Sequence, residues 1–364
     1  MLTYKYKVGV FMAVVLDNIH INFRVIDGYN KNINIVISPR GIGKTSLFWL
    51  LKIYNKWKVN KKPYIYLVRQ NVEITEALID SIQDTIINKF TDDNVSFNYS
   101  KGAFKDGIVD VFIDDKIFFR VVSLSISLRR IKLAVLKNIG GVLMDEYIID
   151  PKTQEKYQTN EIMKIKEAYT TWTRESEGAL KMYFLANPYS LYNPLFIWLK
   201  IPINKIKKGV ILTGDIWVLW CYEISEELKA HLLEQNPLLE FDDEYKKYAF
   251  DGTAINDENI KIGKSQNNFA LRHIFRVDNQ YLGIFQNMIP VYDEDKFFCK
   301  IIDTWNKDRK IYVFDFDDLI NGCLMLNNDE KLRFKIFKNA MRRRQVSFED
   351  ANAFYIAQEI FNLI

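Results

Sequence analysis

The chain has 364 residues, 48% of them hydrophobic and 26% charged, with a formal net charge of +4. That composition is ordinary for a globular protein of about two domains and excludes a long disordered chain. The small net charge does not demand a nucleic-acid partner, so any such role has to rest on local patches. Cys221, Cys299 and Cys323 stand far apart, as do His20, His231 and His273. No zinc-ligand spacing or CxxC pair exists, and lone cysteines suit a reducing compartment. The apolar run 8–16 is too short to cross a membrane and lacks a small-residue cleavage site, so it reads as a strand. No other stretch is long enough to span one.

Residues 1–32 read as strands and turns, ending in the turn signal Asp27-Gly28-Tyr29-Asn30. The apolar run 33–37 predicts a strand that leads into Ser38-Pro39-Arg40-Gly41-Ile42-Gly43-Lys44-Thr45. A helix to about 59 follows, with Leu47, Leu50, Leu51 and Tyr54 as its apolar stripe. Strand, glycine turn and helix together aim backbone N–H groups at one spot, which suits phosphate. In such a loop Lys44 reaches the β/γ-phosphates of ATP and the Thr45 hydroxyl ligates Mg²⁺. The usual pattern opens with glycine where Ser38 stands, so the match is to its tail, Gly43-Lys44-Thr45.

Pro63 starts a second strand, 64–68, with Arg69 at its carboxyl end. That edge of a parallel sheet is where ligands sit; a solvated basic residue is the plainer alternative. A helix is predicted over 72–90, and a β-hairpin over 108–113 and 116–122 around Asp114-Asp115. Lys101 and Lys105, then Arg129, Arg130, Lys132 and Lys137, make two basic stretches. They read either as plain surface or as loops facing the phosphates of ATP or DNA.

The strand 141–144 ends in Asp145-Glu146, the Walker B arrangement. It brings Asp145 to the metal and Glu146 to an attacking water. A helix over 160–174 ends at Arg174, and a strand over 180–185 leads to Asn187. Asn187 is placed to sense a γ-phosphate, or is a turn former before Pro188. Strands at 209–212 and 216–222 close an α/β domain, 1–224, whose mostly parallel sheet is covered on both faces. Residues 225–258 read as a small helical linker and 259–364 as an α+β domain. Its strands, 270–277, 280–286, 297–302 and 311–314, are expected to be antiparallel, with helices over 330–344 and 348–363. Residues 331–344 carry seven basic residues and no acid, a solvated face or a contact for nucleic acid or an acidic partner.

Several segments together resemble one family. They are Arg-Gly-Ile-Gly-Lys-Thr at 40–45, Tyr-Ile-Tyr-Leu-Val-Arg at 64–69, Met-Asp-Glu-Tyr at 144–147, Thr-Trp-Thr-Arg-Glu at 171–175, Leu-Ala-Asn at 185–187 and Phe-Asp-Gly-Thr at 250–253. The chain resembles the DNA-packaging ATPases of small podophages of the Picovirinae type, in the large-terminase-like branch of ASCE ring ATPases. The resemblance implies a homopentameric ring at the portal of an empty procapsid in the host cytoplasm, driving double-stranded viral DNA inward. It leaves open whether a structural packaging RNA tethers the ring. By the same resemblance Glu146 is the catalytic glutamate, Arg174 an arginine finger acting in the neighbour's site, and Lys132 a second basic residue across that interface. Lys101, Lys105, Arg129 and Arg130 are the candidate DNA contacts. The family often carries paired arginines where this chain has Val68-Arg69.

The resemblance also implies an RNase H-like fold after 259. The first strand there carries no acid, and Asp278, Asp315, Asp317, Asp318 and Asp350 make no complete metal-binding set. The expectation is a vestigial nuclease that docks rather than cuts. Three rival readings are a complete terminase that cleaves DNA, an ATP-binding assembly switch without translocation, and a cellular DNA helicase.

Overall fold

The computed structural model describes residues 7–8, 11–12, 20–39, 41–150, 155–158, 160–176, 180–191, 193–235, 261–263, 268–277, 280–289, 295–306, 308–314, 319–326, 334–343 and 345–363. The chain divides into two compact units, 1–190 with 202–255, and 191–201 with 256–364. The division is therefore not linear: a short segment inside the expected first domain belongs with the second unit.

The first unit is built on a nine-stranded sheet. Its strands are β1 (Ile33–Ile37), β2 (Tyr64–Val68), β3 (Asn98–Tyr99), β4 (Ile108–Ile113), β5 (Lys116–Ser123), β6 (Gly141–Met144), β7 (Met182–Ala186), β8 (Ile211–Thr213) and β9 (Trp217–Cys221). The order is β8-β9-β1-β7-β6-β2-β5-β4-β3. Every pairing from β9 across to β5 is parallel, and antiparallel strands finish both edges. β1, β2, β6 and β7 are buried along their whole length, as expected of parallel strands covered on both faces. The outer strand β4 instead alternates between buried and half-buried residues. Asp114 and Asp115, at φ +48° and +59°, form the tight turn of the β4–β5 hairpin.

Helix α1 runs over 44–60, with Phe48–Tyr54 in a π register. The expected stripe is too narrow. Leu51 is only half-buried, whereas Phe48, Trp49, Ile53 and Trp57 are buried. The wider π turn shifts which side chains face the sheet. Phe48 meets Tyr183 edge-on at 4.8 Å and Trp49 meets Phe119 at 4.9 Å, so aromatic rings seat the helix on the sheet. Lys52 is buried too and pairs with Asp27, which also accepts the Tyr183 hydroxyl. The expected 72–90 helix begins later. Thr75 caps helix α2 (76–90), its hydroxyl accepting Leu78 N–H at 3.2 Å. Helices α3 (Leu128–Leu133) and α4 (Glu161–Arg174) pack together.

In the second unit, α5 (Pro194–Trp198) belongs with the chain's end. Of the expected linker, α6 (Glu226–Gln235) is a helix of the first unit, capped by Ser225, and 236–258 lie outside the described residues. The second unit has a seven-stranded sheet of β10 (Lys261–Ile262), β11 (Phe269–Val277), β12 (Gln280–Asn287), β13 (Phe297–Ile301), β14 (Ile311–Val313), β15 (Cys323–Met325) and β16 (Val346–Phe348). The order is β10-β16-β13-β12-β11-β14-β15.

The expectation of antiparallel strands holds only for β11–β12–β13. β14 lies parallel to β11, β15 to β14, β16 to β13 and β10 to β16. After β13 the chain crosses to the far side of β11, and burial alternation carries no information about direction. Helices α7 (Lys335–Arg342) and α8 (Ala351–Leu363) follow. Phe337 of α7 and Ile356 and Ile360 of α8 join Phe275, Ile284 and Phe297 in one core. Asp350 caps α8, accepting Ala353 N–H at 2.8 Å, while Asp278, Asp315, Asp317, Asp318, the 250–253 turn and Arg344 lie outside the described residues.

His273 lies edge-on to Phe334 at 4.7 Å. Burial, then the nearby Arg272 and Arg309, lower its imidazole from 6.5 to about 4. The folded chain thus binds fewer protons than the unfolded chain between those values, so stability falls as pH drops from about 6.5 towards 4. Denaturant titrations across that window are expected to show a loss of about 2–3 kcal/mol. His273→Phe should flatten it.

Candidate active site

Because β1, β2, β6 and β7 run parallel, their carboxyl ends bring Ser38, Arg69, Asp145 and Asn187 to one edge of the sheet. β7 lies between β1 and β6. The glycine loop leaves β1 at Ser38, which continues the β1–β7 ladder: its N–H donates to Ala186 O at 3.1 Å. Ser38 is buried and has no positive φ, so the backbone freedom of glycine is not needed there. The turn itself needs it. Gly41 and Gly43 sit at φ +80° and +75°, and a Cβ on Gly41 would lie 2.9 Å from Leu232. Pro39 and Ile42 complete the described part of the loop, while Arg40 lies outside the described residues.

Gly43 is the residue before α1, and Lys44 and Thr45 open the helix. Lys44 is buried, and its Nζ donates to Asn187 Oδ1 at 2.9 Å. Thr45 Oγ1 donates to Asp145 Oδ2 at 2.5 Å. Adjacent residues of one helix start thus engage the ends of two different strands. The paired hydroxyl and carboxylate oxygens are the donor type a hard divalent cation takes. Asp145 Oδ1 also accepts the Glu146 N–H at 2.9 Å.

Glu146 has a left-handed backbone, φ +51°, and an exposed side chain. Tyr147, next in sequence, is buried again, and its N–H donates to Leu185 O at 3.1 Å. The backbone therefore leaves the sheet for one residue and turns Glu146 outward, a conformation costing on the order of 1 kcal/mol or more.

Arg69, the expected nucleotide contact, is tied within the chain to Glu161 and to the backbone beside Glu146. Nε donates to Glu161 Oε2 at 3.0 Å, and Nη2 to Tyr147 O at 2.6 Å and Glu161 Oε1 at 3.3 Å. Both side chains are buried, and Arg69 lies over the rings of Tyr157 and Tyr147. Burial opposes its charge, and the Glu161 carboxylate outweighs that and raises the guanidinium further.

Arg174 is exposed at the last position of α4, and makes no hydrogen bond or ion pair among the described residues. Lys132 on α3 donates to Glu167 Oε2 of α4 at 2.7 Å, and holds that exposed carboxyl below its ordinary range. Lys101 pairs with Glu76 at 2.6 Å, and Arg130 with Asp106 at 3.5 Å. The Arg130–Asp106 pair brings the two basic stretches together, with Lys105 and Arg129 exposed beside it.

Residues 17–364 match the family model of the podovirus DNA encapsidation protein (Gp16). The chain belongs to this family. Two solved structures share its fold at low identity. The Phi-28 gp11 DNA packaging motor is 19% identical with a TM-score of 0.59, over 94% of this chain and 97% of that one. The bacteriophage Phi-29 viral genome packaging motor assembly is 18% identical with a TM-score of 0.60, over 95% and 99%. No curated protein matches the sequence.

In this Gp16-family chain, Glu161, Leu232 and His20 belong to the neighbourhood of the site, although nothing in the sequence reading selected them. A Cβ on Gly43 would lie 3.5 Å from the His20 ring. An acid in the first turn of a helix is a usable signal for Glu161, but its partner Arg69 lies 92 residues away. Removing one member of a buried pair strands a charge, and Glu161→Ala is expected to cost about 3–5 kcal/mol. Lys132→Ala, at an exposed pair, should cost within about 1 kcal/mol. Urea denaturation of the two variants measures both.

Proposed function

We propose that this chain is an ATP-hydrolysing ring motor that moves double-stranded viral DNA into a procapsid through its portal. The observation that carries this reading is the meeting of Lys44 with Asn187 and of Thr45 with Asp145 on one sheet edge. A Walker A lysine and a γ-phosphate-sensing amide stand in one contact, and a magnesium-ligating hydroxyl and a Walker B carboxylate in the other. Bound ATP·Mg²⁺ supplies the phosphoryl group whose transfer to water releases ADP and phosphate. The loop N–H groups of residues 41–45 and the Lys44 side chain would bind the phosphates, and Thr45 and Asp145 would hold the metal. Glu146 orients the attacking water, and Asn187 senses the γ-phosphate through its contact with Lys44.

Arg174 reaches the site of a neighbouring subunit in a ring, which we take to be a pentamer, and neutralises charge developing in the transition state. Its exposure supports that role, and among the described residues it makes no hydrogen bond or ion pair. Lys132 faces the same interface once it lets go of Glu167. Lys101, Lys105, Arg129 and Arg130 grip DNA through phosphates, because a packaging motor ignores sequence. The second unit docks the ring, directly or through a structural RNA, and lacks nuclease activity: its first long strand, β11, carries no acid that could hold a metal.

With procapsids present, Arg174→Ala is expected to lower ATP turnover at least ~10³-fold while nucleotide affinity stays within about twofold. Unchanged turnover would favour the assembly-switch reading. Ser38→Gly is expected to leave ATP affinity unchanged by calorimetry, because Ser38 already continues the β1–β7 ladder. A large gain would show that the side chain loosens the loop.

A further inference from the structure

We infer that Arg69 is a positioning residue that sets the Glu146 turn and keeps it in register with the helix carrying Arg174. This rests on the hydrolase reading above. The guanidinium divides its bonds between two elements. One arm holds the Tyr147 carbonyl at 2.6 Å, one residue beyond the left-handed Glu146. Nε and the Nη2 of that same arm together fork onto Glu161, the first residue of α4, at 3.0 and 3.3 Å.

Glu161 is held in return by a third bond. Its Oε2 also accepts the Gln158 N–H at 2.8 Å, so the carboxylate fixes the chain's entry into α4 as well as Arg69. From Glu161 the helix runs 14 residues to Arg174, about 20 Å along its axis. Ile165, Ala168 and Trp172 bury its inner face, and Lys164 Nζ donates to Leu124 O at 2.8 Å. The helix is therefore a stiff rod, and a shift at Glu161 is carried to Arg174.

The geometry explains why an arginine stands at this strand end. Lysine lacks the planar fork that bonds a carboxylate and a carbonyl at once. Glu146 needs such a hold. Its own side chain is exposed and its backbone is in a sparsely populated region, so neighbouring groups have to over-determine the turn. The Asp145 carboxylate holds it from one side through the Glu146 N–H, and Arg69 holds it from the other through Tyr147 O. Through these bonds Arg69 ties a subunit's own catalytic glutamate to the arginine it offers its neighbour.

The test uses the full-length chain with procapsids and compares Arg69→Lys and Glu161→Gln with wild type. ATP binding is measured by calorimetry, turnover by phosphate release and folding by thermal melting. For both variants kcat is expected to fall at least tenfold while the ATP dissociation constant stays within about twofold. Wild-type kcat in either folded variant overturns the proposal. So does a dissociation constant that rises in step with the fall in kcat, since that marks Arg69 as a direct nucleotide contact. If the single variants do not fold, the pair Arg69→Met with Glu161→Met removes both charges together. Its kcat is expected to fall in the same way, and wild-type turnover in the pair would overturn the brace. Failure of the underlying reading looks different: wild type itself would turn over no ATP, or Lys44→Ala would bind ATP as wild type does.

Discussion

Two neighbouring residues at the start of one helix touch the ends of two different strands, and the rest of the first unit follows from that constraint. Lys44 can meet Asn187 and Thr45 can meet Asp145 only if β7 separates β1 from β6 and all three strands run the same way. The parallel core then has to be covered on both faces, so its strands are buried and apolar apart from Asn34 of β1, whose amide donates to Lys31 O and Met182 O. It also has to hold α1 tightly, because a small tilt would separate both contacts. The aromatic seat formed by Phe48, Trp49, Tyr183 and Phe119, with the pairing of buried Lys52 to half-buried Asp27, provides that hold.

Two kinds of ion pair stand among the candidate site residues, one buried and the other exposed. Arg69–Glu161 is buried, forked and further bonded to backbone. Such a pair is weak evidence for net stability, yet it admits few alternative geometries. Lys132–Glu167, Lys101–Glu76 and Arg130–Asp106 are exposed and exchange partners at little cost. Residues that have to release a partner from their own chain and take one from a neighbouring subunit or from DNA suit the second kind.

Much of the site was legible in the sequence because its signals are local. An apolar strand ending in a glycine turn, or in Asp-Glu, says which residues reach the sheet edge without knowledge of anything distant. Arg69 was not legible, since the residue that defines it lies 92 positions away. Ser38 looked like a defect against the glycine pattern, but the hydrogen bond to Ala186 removes the need for glycine there. In the second unit the hairpin strands were legible from their alternation. The direction of β14 was not, because it depends on where a crossover lands. β15 and β16, three residues each, are too short to show a period.

On the proposed function, each subunit carries half of two sites, Glu146 for its own and Arg174 for its neighbour's. The most direct test mixes two variants, Glu146→Gln and Arg174→Ala, each inactive alone, on procapsids, and measures ATP turnover. Where an Arg174→Ala subunit receives the arginine of a Glu146→Gln neighbour, a complete site forms, so the mixture is expected to hydrolyse ATP well above the sum of the separate variants. Turnover no greater than that sum would contradict the account and place Arg174 outside the neighbour's site.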